Sequence, residues 1–264
     1  MITPIATQSA AVPIGLRSLE QNQQALGKSM ERLSTGNAIN SAKDDPAKLM
    51  AGINLDAALR TLDAESRAIQ RESSVLSTKD AALGAAGEMI ADLKGLAVQA
   101  ANTGAMSDAE REALDIEAAS IVRALDLTTS SASFAGEKLF DGSVADDLGS
   151  GEEGGGDYSL ADIGNGLSLS SDAELIARIA DRAVSDLATM RGEIGATIAN
   201  DLSHRANAID TEMTNLADAR SQIMDTDFAK ETAALTRAEM LSEASRFVLA
   251  FDSQRAGPGL LGVA

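Results

Sequence analysis

The chain has 264 residues, 40 acidic and 22 basic, and a formal net charge of −18. That balance argues against nucleic acid and anionic membrane as partners. It contains five Phe, one Tyr, no Trp and no Cys, so it offers neither a thick aromatic core nor a disulfide or thiolate framework. Thin helix-on-helix packing is the core such a composition supports. No continuous apolar run approaches the ~18 residues a membrane span requires, so membrane insertion is not expected. The opening stretch MITPIATQSAAVPIGL has no basic leader and no unbroken apolar segment, so no secretory signal peptide is read there.

Three long helical patterns follow in chain order. The first runs from about Leu16 to Leu33, where Leu16, Leu19, Gln23, Leu26, Met30 and Leu33 alternate steps of three and four. Gly36 suits the left-handed position just past its end. A charged turn, Asn40-Ser41-Ala42-Lys43-Asp44-Asp45-Pro46, then separates it from the next helix. Asp45 can cap that helix through its carboxylate, and Pro46 fits its first position because the missing N–H would be unpaired there anyway.

The second pattern keeps a seven-residue beat through Leu55, Leu62, Ile69, Leu76, Leu83, Ile90 and Ala97. Six heptads correspond to ~63 Å of helix. A weaker companion row is Leu59, Ser66, Ser73, Asp80, Gly87 and Lys94, and Val75, Ala82, Met89 and Leu96 form a shoulder. A helix with one strong seam needs partners along its length. Asn102-Thr103-Gly104 interrupts it, and Ser107, with Asp108 and Glu110 behind it, caps a further helix to about Leu127.

The middle of the chain is different. Residues 139–177 hold nine acids and no Lys or Arg, half of the total charge. Gly151 to Gly156 (GEEGGG) reads as an exposed, flexible loop tip. Ala132–Gly142 and Tyr158–Asp162 read as short strands or hairpins. The third helical pattern runs from about Ser171, with Leu202, Ile209, Leu216 and Ile223 on the beat. Asp225-Thr226-Asp227 interrupts or recaps it, Leu241, Ala244, Val248 and Phe251 extend it, and Pro258 with its glycines ends it.

Nothing in this layout is arranged for chemistry. His204 is the one histidine, which excludes a His-based triad and a two-His metal site. The stretch after Asp225 lacks the turn glycine of a calcium loop. The glycine cluster has no Lys-Ser/Thr after it and is no phosphate cradle. The expectation is no enzyme, no cofactor and no metal.

The seams themselves carry the function. The first helix, set apart by the charged turn, can meet only the segment around Leu241 to Phe251 within its own chain. Two helices of ~18 residues bury little by themselves. Such a pair becomes stable when many copies pack together. The predicted fold class is mainly α: a long antiparallel, coiled-coil-like bundle of N- and C-terminal arms with a small β-hairpin region between them.

The sequence resembles the bacterial flagellins. The resemblance rests on Leu26-Gly27-Lys28-Ser29-Met30-Glu31-Arg32-Leu33-Ser34-Thr35-Gly36, on Ile39 to Asp45, and on Leu93 to Asn102. Near the other end it rests on Asn215 to Ile223, Asp225 to Thr232, and Arg237-Ala238-Glu239-Met240-Leu241. It implies a filament subunit with a very short central region, located outside the cell in the flagellum. The implied organisation is an inner, tube-lining helix (1–40), the first part of an outer helical domain (41–132), a short acidic β/loop insert (133–170), the second part of the outer domain (171–232) and a second inner helix (233–264). Leu19, Leu26, Met30, Leu33, Leu241, Val248 and Phe251 would form the self-assembly interface. Asn40, Lys43, Asp44, Asp45 and Pro46 would form the spoke between shells. The partners implied are other copies in a helical homopolymer, a flagellar export chaperone and the type III export apparatus, and junction and cap proteins. A hook–filament junction protein and a soluble helical-bundle interaction module stay open as alternatives.

Overall fold

The computed structural model describes residues 8–102, 106–153 and 156–256, with side chains described for 14–102, 106–150 and 158–251. The fold is mainly α. Its long helices are α1 (Gln8–Thr35), α2 (Pro46–Ala101), α3 (Asp108–Ser131), α5 (Leu169–Ala196), α6 (Ser203–Met224) and α7 (Phe228–Ala256). Between α3 and α5 lie two small antiparallel hairpins, β1 (Ser133–Phe134) with β2 (Glu137–Lys138) and β3 (Gly151–Glu153) with β4 (Gly156–Tyr158), and a single helical turn, α4 (Val144–Asp147). The chain divides into two compact units, residues 1–63 with 211–264, and residues 64–210.

The second unit has a closed apolar core. From α2 come Leu83, Ile90, Leu93 and Ala97, from α3 Leu114, Val122 and Leu125, and from α5 Ile176, Ile179, Ala183 and Leu187. Leu148, Leu160, Ile163 and Leu167 close it from the connecting loops. The antiparallel register of α2 and α5 is pinned at the surface by Asp80 with Arg191 and by Lys94 with Asp181. Small residues set the spacing: a Cβ on Gly87 would lie 2.8 Å from Leu187 Cδ2. The seven-residue beat faces inward here, with Ile69, Leu83, Ile90 and Ala97 buried. A second row, Ala86, Leu93 and Ala100, is equally buried. It widens the apolar face that α2 gives to the core and was not read from the sequence, because two of its three members are alanine.

In the first unit α1 packs along α7, and the start of α2 runs beside the end of α6. Arg220 pairs with Asp56, and Gly52 sits so close to Met224 that an added Cβ would lie 2.5 Å from Sδ.

Several boundaries differ from the sequence reading. Helix α1 begins at Gln8 rather than near Leu16 and contains Pro13, whose fixed φ suits a helix and removes one N–H bond rather than ending it. Helix α3 runs on to Ser131 rather than Leu127, as Thr128 and Thr129 return their hydroxyls to the carbonyls of Ala124 and Leu125. Gly151–Glu153 and Gly156–Tyr158 pair as strands, in the register Gly151 opposite Tyr158, where a flexible tip was expected. Leu160–Asp162 is a 3₁₀ turn capped by Ser159, not a strand. A single wide π turn, Thr197–Leu202, joins α5 to α6. The expected interruption at Thr103 and Gly104, the tip glycines Gly154 and Gly155, and Pro258 lie outside the described residues.

Candidate assembly surface

The charged turn is a clasp built from the backbone outward. Gly36 takes φ +74°, and its N–H donates to the Arg32 carbonyl at 2.8 Å, ending α1. The next residues run against the break between α6 and α7. The Ala38 N–H donates to the Met224 carbonyl at 2.7 Å, the Thr226 N–H donates to the Gly36 carbonyl at 2.8 Å, and Asn37 bridges Asp225. Ile39 is buried behind this crossing.

Asp44 is the centre of the turn. Its carboxylate accepts from the Asn40 and Ser41 N–H groups, from the Ser41 hydroxyl and from Lys28 Nζ at 3.2 Å. The Lys28 and Ser41 hydrogen bonds hold its carboxyl below the usual range. Asp45 accepts from the N–H groups of Ala47 and Lys48 at 3.1 and 3.0 Å, and Pro46 opens α2. Of the five residues singled out for the spoke, Asn40 and Asp44 share one network, Asp45 and Pro46 start α2, and Lys43 is exposed. The cation in the network is Lys28, on α1. No short-range sequence signal pointed to it.

Asp227 caps α7 by accepting from the Lys230 N–H at 3.1 Å, and Asp225 pairs with Arg220 and accepts from the Ser221 hydroxyl. These acids stabilise helix ends. His204 is exposed. Among the described residues there is no group of three or more His, Asp or Glu side chains placed to hold a metal, and no helix long and apolar enough to cross a membrane.

Helices α1 and α7 meet through a small and polar seam. Ser29 Oγ donates to Glu231 Oε1 at 2.6 Å, Arg32 pairs with the same carboxylate at 3.5 Å, and Asn22 Nδ2 donates to Ser245 Oγ at 3.3 Å. A Cβ on Gly15 would lie 2.9 Å from Leu249 Cδ2. Ser29, Ala238 and Ser242 are buried. Leu19, Leu26 and Leu33 are half-buried on the α7-facing side of α1.

This corrects the expected seam. One row of α1, Leu19, Leu26 and Leu33, turns toward α7. The other row, Leu16, Gln23 and Met30, turns outward, with Leu16 and Met30 about half exposed at 53% and 50%. Gly15, Asn22 and Ser29 take its place. On α7 the apolar row Leu241, Val248 and Phe251 is likewise exposed, at 49%, 60% and 54%, while Ala238, Ser242, Ser245 and Leu249 face α1. The pair therefore presents apolar rows to solvent and keeps a mixed seam between its helices, where buried serines sit among half-buried leucines.

A family model described as the bacterial flagellin N-terminal helical region matches residues 5–145, more than half of the chain. The chain belongs to the bacterial flagellin family. A second model, the bacterial flagellin C-terminal helical region, matches residues 177–255. The chain is 28% identical to the flagellin of Bacillus subtilis over 91% of this chain and 93% of that one. It is 29% identical to the flagellin of Halalkalibacterium halodurans over 90% of each. Flagellin A of Vibrio anguillarum is 38% identical over 49% of this chain and 34% of its own length. A crystal structure of Bacillus cereus flagellin aligns with TM-score 0.42 and 24% identity over 58% of this chain and 94% of that one.

Membership makes the chain a structural flagellin, a component of the flagellar filament outside the cell, in a family of structural proteins that polymerise.

Proposed function

We propose that this flagellin polymerises through the outward rows of α1 and α7, after leaving the cell unfolded by the flagellar type III route. Leu16, Met30, Leu241, Val248 and Phe251 dock against neighbouring copies. Leu19, Leu26 and Leu33 hold the α1–α7 pair that presents them. Residues 1–40 and 233–264 form the inner layer, residues 41–132 and 171–232 the outer helical layer, and 133–170 a short outer insert. The clasp at Asn40–Pro46 is the spoke. An export chaperone, the export apparatus, junction proteins and a cap protein are the further partners this reading requires.

The observation that carries the reading is the exchange of rows at the α1–α7 seam: Met30 and Val248 are at least half exposed while Ser29 and Ser242 are buried. Burying apolar area releases about 25 cal/mol per Å². Only an external partner recovers it for those side chains.

Negative-stain electron microscopy of the salted-out protein tests the reading, beside a variant lacking residues 1–40. Long uniform filaments are expected from the full chain and none from the truncated one. Monodisperse full-length particles under all salting-out conditions would overturn it. Protease resistance of residues 14–40 and 235–251 is expected to rise on polymerisation, and equal cleavage in both states would count against burial of these helices.

A further inference from the structure

Methionine is the chain's one oxidation-prone sulfur chemistry, since there is no cysteine. The described methionines fall into two sets. Met30, Met50 and Met240 are 50%, 67% and 65% exposed. Met224 is buried against Gly52, and Met89, Met106, Met190 and Met213 are at least partly buried. All three exposed ones lie in the unit of residues 1–63 and 211–264.

Their surroundings are apolar. Met30 belongs to the outward row of α1 with Leu16, and Met240 adjoins Leu241 on α7. Met50 stands one turn from Ile53, itself 57% exposed. A thioether suits such a surface because it is apolar, flexible and adapts to an irregular neighbour.

We infer that Met30, Met50 and Met240 are peroxide-sensitive modification sites, whose oxidation to the sulfoxide blocks polymerisation of the free subunit. The second half rests on the assembly reading above. In the reaction the thioether sulfur attacks one oxygen of a hydroperoxide and the O–O bond breaks. Sulfur gains the S–O bond and loses two electrons, and the departing oxygen leaves as water or an alcohol after taking a proton. The product is polar and chiral, with an oxygen that requires a hydrogen-bond donor. At a dry contact between copies that oxygen loses its water without a replacement. Subunits already in the polymer have these sulfurs covered, so sensitivity belongs to the monomer. The step is reversible by methionine sulfoxide reductases, one for each epimer.

The test uses the full chain and hydrogen peroxide. Peptide mass spectrometry over a time course is expected to show Met30, Met50 and Met240 oxidised before Met89, Met190 and Met224. Equal rates at all six overturn the assignment. Sedimentation is then expected to show that treated protein needs at least about tenfold more subunit to polymerise. Treatment with both reductase types and a thiol reductant, which supplies the two electrons and is oxidised to its disulfide, restores the untreated value. The M30L/M50L/M240L variant, treated in the same way, polymerises as untreated protein does. Treated wild type that polymerises normally overturns the inference while leaving the assembly reading intact. Untreated, folded wild type that never polymerises overturns that reading, and the block on polymerisation with it.

Discussion

The two compact units use the same helical repeat to opposite ends. In residues 64–210 the apolar rows converge: Leu83, Ile90, Leu125, Ile176 and Ile179 are all at most 1% exposed. In residues 1–63 and 211–264 one apolar row of α1 and one of α7 turn outward, and serine, asparagine and glutamate share the seam with half-buried leucines. A hydrogen bond across a seam contributes about 1 kcal/mol net, far less than a buried large aliphatic side chain. The first arrangement stabilises a subunit alone. The second specifies register cheaply and leaves Leu16, Met30, Leu241 and Val248 about half or more exposed.

The largest effect that could break this contrast comes from paired substitutions. Ile176→Ala removes a fully buried side chain and is expected to cost about 2–5 kcal/mol in urea unfolding of the monomer. Val248→Asp, on the outward row, is expected to change monomer stability by no more than about 0.5 kcal/mol. It should nevertheless eliminate pelletable polymer. A large loss of monomer stability in Val248→Asp would show that this row supports the subunit itself. Leu26→Asp is a poorer probe, because Leu26 belongs to the half-buried row facing α7.

Much of this was legible because local chemistry and global fold agree. Asp45-Pro46, Ser107 and Gly36 marked helix ends by rules that involve only near neighbours, and the structure uses each of them for that purpose. The heptad row through Leu83 and Ile90 was legible for the same reason. The outward turn of Leu16 and Met30 was not. A hydropathy pattern finds the apolar stripe but does not say whether it meets its own chain or another. The polar members of the intrachain seam, Asn22, Ser29, Ser242 and Ser245, give no such signal. Lys28, sixteen residues from Asp44, was hidden because the turn that joins them is tertiary.

A smaller contrast concerns two glycines. Gly149 has φ +70°, and an added Cβ would lie 2.6 Å from the Ile179 carbonyl oxygen. Gly149→Ala is expected to lower the melting temperature, with about 1–3 kcal/mol from backbone strain alone. Gly27, in the exposed face of α1, has nothing within 4 Å of an added Cβ. Gly27→Ala is expected to stabilise the monomer by about 0.5–1 kcal/mol, since alanine restricts the unfolded chain and favours helix. Circular dichroism melts of both variants decide this. A rise for Gly149→Ala would mean the loop relaxes away from α5.

The subtlest test asks what the polar companion row of α2 contributes. Asp80 stands in that row and meets Arg191 of α5 through two hydrogen bonds, Nε to Oδ1 at 2.7 Å and a terminal guanidinium nitrogen to Oδ2 at 3.3 Å. The Arg191 guanidinium holds the Asp80 carboxyl below its ordinary range, and Asp80 in turn raises Arg191. The folded state therefore binds the Asp80 proton less readily than the unfolded chain does. Its contribution is complete above the unfolded carboxylate pKa of about 4 and is lost as pH falls through the lower folded value. Both side chains are substantially exposed, so the effect is the smallest of these predictions. Asp80→Asn is expected to melt slightly below wild type at pH 7, with the gap closing toward pH 2. The gap should also narrow in high salt at pH 7. A difference that persisted at pH 2 would mean that Asp80 acts through the fit of its side chain between α2 and α5. The companion row would then be read as packing rather than as charge.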